Sequence, residues 1–245
     1  MTTPVLSLQR IHKTFGGVTA IEEFNLDVAA SEIVALVGDN GAGKSTLVKI
    51  VAGVQPQTSG DILIDGLTAH LRDPRASQDK GIQVVYQDLA LAERQPVYMN
   101  MFLGRELVHP WLGRLRRGRM IVETEKLMSE LDVRIPSARA IVRDLSGGQR
   151  QGIAIARATH WATKLVLMDE PTAALGVAET ERVERIIESL KARSLAIVIV
   201  SHSLDQVFRV ADRICVLRRG RQIGVRETRS VTRNEIVAMI TGLDR

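Results

Sequence analysis

The feature that most constrains this chain is a strand-like run, residues 32–37, passing without a linker into a glycine-rich octet and then a helical pattern. The octet is Gly38, Asp39, Asn40, Gly41, Ala42, Gly43, Lys44 and Ser45, with Thr46 next. Glycines at these spacings let the backbone turn its N–H groups inward around a chain of phosphates. The following helix N-terminus adds the positive end of its dipole. Lys44 is placed to neutralise the outer phosphates, and the Ser45 hydroxyl to ligate Mg²⁺. At a glycine background of about 7%, a chance match in a chain this long has odds on the order of one per cent. The strand before and the helix after are the context such a loop requires. Together they demand an α/β sheet with the loop at a strand's carboxyl end.

The remaining patterns are compatible with that demand. Residues 5–11, 21–28 and 61–65 read as strands, as do 82–86. A helix is expected from residue 44 to about 54, with Leu47, Ile50 and Val51 on one face. From Asp88 to about Leu145 the pattern turns helical, interrupted at Pro96, Pro110 and Pro136. Helices at 146–159, 178–192, 204–210 and 234–240 then alternate with strands at 165–168, 195–200, 213–217 and 222–225. Such alternation predicts a largely parallel sheet with helices on both faces. A helical insertion at 88–158 would split this core, leaving 1–87 and 159–245 as its two parts.

Composition excludes several classes. No run of about 18 apolar residues is present, and the amino terminus lacks a basic-then-apolar leader, so a soluble chain is expected. The chain holds 33 Lys+Arg against 28 Asp+Glu, a formal charge of +5, with local excess in Arg114–Arg119 and Arg218–Arg221. With aromatics at only 3%, a stacking nucleic-acid surface is not expected. The single cysteine, Cys215, lies in an apolar run and reads as a buried structural thiol.

Three further segments carry chemistry. The apolar run 165–168 ends in Asp169 and Glu170. Alone, two acids after a strand more often open a helix. Beside a phosphate loop they become a Mg²⁺ carboxylate, Asp169, and a residue that orients or deprotonates the attacking water, Glu170. The next strand ends in Ser201 and His202, whose imidazole should reach a terminal phosphate in the same crevice. Gln87 stands at the equivalent tip of strand 82–86, where its amide could touch Mg²⁺ or water. Finally, Ser146, Gly147, Gly148 and Gln149 open a helix. This reads either as a second anion-binding terminus or as an ordinary cap.

The ordered set of residues 38–45, Gln87, 145–149, 165–170 and His202 closely resembles the nucleotide-binding subunits of ATP-binding cassette transporters. The resemblance covers nearly the whole chain. It implies a P-loop NTPase fold: a RecA-like parallel-sheet core, an antiparallel β-subdomain and a helical subdomain. It implies that Phe15 stacks on adenine. It also implies MgATP hydrolysis by head-to-tail dimers, in which Ser146 and Gly148 touch the terminal phosphate held by the other copy's loop. One position departs from the family. After Glu170-Pro171-Thr172 the usual Ser-Ala-Leu-Asp is here Ala173-Ala174-Leu175-Gly176, so coupling through that aspartate is not expected. The string from Glu170 to Val177, with segments 86–94 and 101–105, resembles the subgroup serving importers of ribose, xylose and fructose. Many members of that subgroup fuse two cassettes, and this chain has one, which implies a homodimer. The implied partners are transmembrane permease subunits at the cytoplasmic face of the membrane and, indirectly, an extracytoplasmic solute-binding protein. Residues 97–104 would help form the groove that receives the permease. Three other readings are weighed: a non-transport cassette ATPase, a P-loop GTPase, and an importer of branched-chain amino acids or another solute. The first lacks the fused cassettes or coiled-coil insertions of such relatives, and the second lacks an Asn-Lys-x-Asp motif.

Overall fold

The computed structural model describes residues 3–111, 113–173 and 175–243. Its elements run β1 (Leu6–Phe15), β2 (Val18–Val28), β3 (Ile33–Val37), α1 (Lys44–Val51), β4 (Ser59–Ile64), β5 (Leu67–Thr68), α2 (Pro74–Asp79) and β6 (Ile82–Val85). They continue with α3 (Val97–Met101), α4 (Arg117–Glu130), α5 (Gly147–Trp161), β7 (Leu165–Asp169), α6 (Val177–Ala192) and β8 (Ala196–Val200). Last come α7 (Leu204–Val210), β9 (Arg213–Arg218), β10 (Arg221–Glu227) and α8 (Arg233–Thr241).

The strands form one sheet in the order β5-β4-β1-β2-β10-β9-β3-β8-β7-β6. From β9 to β6 every pair is parallel. From β5 to β2 every pair is antiparallel. The halves meet at β10, which pairs antiparallel with β9 and parallel with β2 at Arg221↔Glu22. Parallel strands β3 and β8 are apolar along their whole length because both faces are covered; β6, β7 and β9 are interrupted only by Gln83, Asp169, Arg213 and Arg218. In β3, Ile33, Ala35 and Val37 enter a core shared with α5, α6 and α7. Val34 and Leu36 enter a second core with α1 and the antiparallel strands. This places helices on both faces, as the alternation predicts, and puts β3 at the centre of the molecule.

The structure departs from the sequence expectation most between residues 88 and 145. Only α3, α4 and a single 3₁₀ turn at 142–144 are helical there among the described residues. Pro96, without an N–H to donate, stands at the N-cap of the short α3. From within α3, fully buried Asn100 reaches back to hold the preceding loop: its side chain accepts from the Ala92 N–H at 2.7 Å and donates to the Ala92 and Pro96 carbonyls at 3.1 and 3.2 Å. Those bonds replace helical ones, so apolar spacing alone misreads the segment. α5 runs continuously from Gly147 to Trp161, past residue 158, with no break at the expected boundary. Short α2 and β5 were not expected, although Asp73 caps α2 through Ala76 N–H with Pro74 at its first turn. α1 stops at Val51 rather than 54, because Gly53 takes φ +72 where a Cβ would lie 2.2 Å from the Asp73 carbonyl oxygen.

Candidate active site

The carboxyl ends of β3, β8 and β7 lie side by side, and the chain leaving each carries one part of the site. After β3, residues 38–45 curl back over the strand. Gly38 has φ +151, and a Cβ there would lie 2.1 Å from the Leu217 carbonyl oxygen. Gly43 has φ +108, and a Cβ there would meet Ile21 Cδ1 at 2.4 Å and the Ala20 carbonyl oxygen at 2.8 Å. Glycine is therefore required twice, by conformation and by contact. Lys44 Nζ donates to the Gly38 and Asp39 carbonyls at 2.6 and 2.9 Å, holding its ammonium across the loop's mouth. Burial pulls the Lys44 ammonium below its ordinary range, against Glu170, Asp169 and Asp39, which raise it. Asn40, Gly41, Ala42 and Thr46 complete the turn; the Ala42 N–H returns to the Asp39 carbonyl at 3.1 Å.

Asp169 ends β7. Burial and the neighbouring Glu170 carboxylate push its carboxyl above the ordinary range, while Lys44, Lys49 and a hydrogen bond from Ser45 pull it down. Ser45 and Asp169, both singled out from sequence, are thus brought close to each other past the intervening β8. Glu170 takes φ +50, a left-handed conformation that costs a non-glycine residue about 1 kcal/mol or more. Its N–H is held by the Val200 carbonyl at 2.9 Å, which aims the carboxylate away from the sheet. His202 Nδ1 stands 3.3 Å from Glu170 Oε1, with the imidazole largely exposed and the carboxylate mostly buried.

A fully buried residue that sequence reasoning missed joins these two loops. The Gln206 side-chain carbonyl accepts from the Thr172 hydroxyl at 3.1 Å and from the Ser201 hydroxyl at 3.0 Å. Its amide nitrogen has no partner among the described residues. Ser203-x-x-Gln206 has the spacing of a capping box, which would turn Gln206 back to the Ser203 N–H. That N–H donates instead to Ser201 Oγ at 3.1 Å, and Gln206 points inward.

Phe15 ends β1 opposite Val18, with the Lys13 ammonium 4.9 Å from its ring centroid. The same hairpin supplies Ala20 and Ile21 against Gly43, and 45% of Phe15 remains exposed. Gln87 lines a separate cleft with Asp88, Leu91, Gly147 and Arg150, on the side of the helical segment. Tyr86, its neighbour, borders Asp169, which together with burial raises the phenol.

Ser146 caps α5, accepting from the Gln149 N–H at 3.2 Å while Gln149 Oε1 accepts from the Ser146 N–H at 2.9 Å. Gln149 also donates to the Arg134 carbonyl at 2.9 Å. Gly148 packs on Glu179, whose Cγ would lie 2.3 Å from a Cβ at 148. No hydrogen-bond partner of residues 146–149 among the described residues lies in the 38–46 loop. Gly176 precedes α6 with its backbone as the only cap, and a side chain there would begin 2.7 Å from Glu179 Oε2. Cys215 is buried in β9 and its thiol is pushed up to about 12, as expected for a structural residue.

With this geometry in view, the comparison with known sequences is decisive. The family model described as ABC transporter matches residues 21–173. The chain belongs to the ABC transporter family. Among curated proteins, the cassette is 40% identical over 237 residues to the xylose/arabinose import ATP-binding protein XylG of Sulfolobus acidocaldarius, covering 97% of this chain and 94% of that one. It is 41% identical over 245 residues to the fructose import ATP-binding protein FrcA of Rhizobium meliloti, covering 98% and 94%. The ribose import ATP-binding protein RbsA 2 of Escherichia coli O157:H7 matches at 40% over 98% of the cassette, which spans only 47% of that protein. Among solved structures, the ATP-binding cassette MJ1267 in its ADP conformation superposes with a TM-score of 0.83 at 23% identity, covering 98% of this chain and all (100%) of that one. The dimeric cassette MJ0796 bound to ADP and Pi gives 0.78 at 23% identity over 92% of this chain and 100% of that one. These structures share the fold: an α/β P-loop NTPase core with the mixed, curled sheet described above. No helix among the described residues is long and apolar enough to cross a membrane.

Proposed function

We propose that this chain is the ATP-hydrolysing subunit of a membrane importer for a monosaccharide, working as a homodimer on transmembrane permease subunits. One observation carries the catalytic part: Lys44, Asp169, Glu170 and His202 meet at the carboxyl ends of three adjacent parallel strands. The sugar assignment is supported by the three relatives, which are import ATP-binding proteins for xylose/arabinose, fructose and ribose.

In this reading, residues 38–46 bind the phosphates through backbone N–H groups and Lys44. Phe15 stacks on the base. The donors around Ser45 are both oxygen, the Ser45 hydroxyl and the Asp169 carboxylate, while Gln87 lies in its own cleft and would have to move to join them. This donor chemistry suits Mg²⁺. When bound, the ion supplies neutralising charge to the phosphate oxygens. Glu170 accepts a proton from the attacking water, and His202, 3.3 Å from it, contacts the terminal phosphate. Residues Ser146, Gly147, Gly148 and Gln149 form a helix N-terminus whose first two residues are exposed and which, among the described residues, makes no hydrogen bond to its own 38–46 loop. They serve the nucleotide of the second copy, so each site is completed only in the head-to-tail dimer. The dimer acts at the cytoplasmic face of the membrane, and an extracytoplasmic solute-binding protein delivers the sugar to the permease.

Glu170→Gln tests the chemistry. ATP binding should persist while phosphate release is abolished; near-normal hydrolysis would sink the role given to Glu170. Transport by the complex reconstituted with its permease tests the cargo, and uptake of amino acids but not sugars would overturn it.

A further inference from the structure

The two arginine clusters of the sequence have different fates. In the second, Arg221 forms a two-pronged pair with Glu22 at 2.7 and 3.0 Å, and Arg218 donates to the Met239 carbonyl at 3.3 Å. These arginines tie β10 to β2 inside the sheet and β9 to α8. The first cluster is different. Residues 107–119 contain four arginines and no carboxylate, in a chain whose whole formal charge is +5.

That segment begins as a small hairpin. Val108 bridges Leu115, the His109 N–H donates to the Arg114 carbonyl at 2.9 Å, and the Arg116 N–H donates to the Leu107 carbonyl at 2.7 Å. At its tip stands Trp111, 95% exposed, one of two tryptophans in a chain poor in aromatics. Val108 and Leu103 add exposed apolar surface beside it. Arg114, Arg117 and Arg119 are exposed and Arg116 is half-buried; among described residues only Arg119 meets a carboxylate, Glu123 at 2.7 Å. The base, by contrast, is well packed. Arg105 lies 4.9 Å from the Trp161 ring centroid, Phe102 meets that ring edge-on at 5.9 Å, and Trp161 Nε1 donates to the Met101 carbonyl at 3.2 Å.

A firm base, a convex apolar tip and unpaired arginines around it do not describe a pocket for a peptide, which would be concave. They match a bilayer interface, where a tryptophan ring sits at headgroup depth and arginines meet anionic phosphates without needing one fixed geometry. We propose that the 107–116 hairpin is a lipid-contact element, seating Trp111 in the interface of an anionic bilayer with Arg114, Arg116 and Arg117 on its headgroups. It fixes the orientation of the cassette at the membrane independently of the permease. It does not rest on the catalytic roles above.

The test is flotation of the purified full chain with vesicles of phosphatidylglycerol in phosphatidylcholine, and with phosphatidylcholine alone. The chain should float with the anionic vesicles only. Trp111 emission, read in a Trp161→Phe background, should shift to shorter wavelength and be quenched by brominated acyl chains. Each of Arg114→Gln and Arg117→Gln should weaken binding about fivefold. Trp111→Ala should weaken flotation with the anionic vesicles, while all three variants keep the ATPase rate measured without vesicles. Flotation needs no background substitution, so an unstable Trp161→Phe protein leaves the test intact. Absence of binding to anionic vesicles, or equal binding by the variants, overturns the proposal. So does a hairpin whose variants lose the permease in detergent while the wild type ignores lipid, which would make it a protein-docking element.

Discussion

Gln206→Leu separates positioning from stability. The substitution keeps the side chain's approximate volume but removes the carbonyl that gathers the Thr172 and Ser201 hydroxyls at 3.1 and 3.0 Å. Each lost hydrogen bond is worth about 0.5–1.5 kcal/mol net, so the loss is roughly 1–3 kcal/mol. Against that, the wild type buries an amide nitrogen with no partner, and leucine removes that penalty of about 1–3 kcal/mol. The terms nearly cancel, so the melting temperature should move by no more than about 4 °C. What does not cancel is geometry. Thr172 lies two residues beyond Glu170 and Ser201 one before His202, and Gln206 is the link between their loops. Releasing that link lets the Glu170–His202 contact at 3.3 Å drift. A displacement of about 1 Å at a catalytic group can cost on the order of a hundredfold. The expected result is kcat lowered tenfold or more, on that scale, with the KM for ATP unchanged. Gln206→Glu, which retains the acceptor, should recover much of the rate. The assays are steady-state phosphate release and a thermal melt on the same preparations. Unchanged kcat in Gln206→Leu would refute the reasoning, as would a large loss of melting temperature at normal kcat.

Two further substitutions follow from individual contacts. Gly43→Ala forces φ +108 on a residue whose Cβ would lie 2.8 Å from the Ala20 backbone oxygen, so the loop must distort; nucleotide titration should show ATP affinity lost by tenfold or more on a strain of about 2 kcal/mol. Cys215 should resist alkylation in the native protein at mildly alkaline pH and react once unfolded, as a thiol-reagent time course would report. Its thiol keeps its proton to about 12 when folded but titrates from 9.0 when unfolded. Between those values the unfolded chain binds fewer protons, so stability falls with rising pH by about 1.4 kcal/mol per unit from this group. Cys215→Ala should therefore show a shallower alkaline loss in denaturant melts; identical pH slopes would count against the burial argument.

The parts of the site that lie within one continuous stretch are legible in the amino-acid sequence alone. The run from β3 through the glycine octet into α1 is local: strand periodicity, obligatory glycines and a helix start occur in immediate succession. The same holds for β7 ending in Asp169 and Glu170, and for Ser146 capping α5. The helical reading of 88–145 held over α3, α4 and a 3₁₀ turn and not between them, because apolar spacing cannot register a buried side chain such as Asn100 taking over backbone hydrogen bonds. Gln206 was hidden by a spacing that belongs equally to an exposed cap.

By itself, then, the sequence determined which chemical groups this protein carries and at which strand ends they stand, because both depend on near neighbours and on the alternation of apolar residues. Only the tertiary structure decided that β3 lies between β8 and β9, that Ser45 reaches Asp169, and that Glu170 meets His202. It also decided that Gly148 and Gly176 both lean on Glu179, and that Arg221 is tied to Glu22 while, among the described residues, Arg114, Arg116 and Arg117 near Trp111 meet no carboxylate. These are pairings between residues far apart in the chain. Many partners satisfy the hydrophobic pattern at each position, and packing the two cores on either face of a single sheet selects among them.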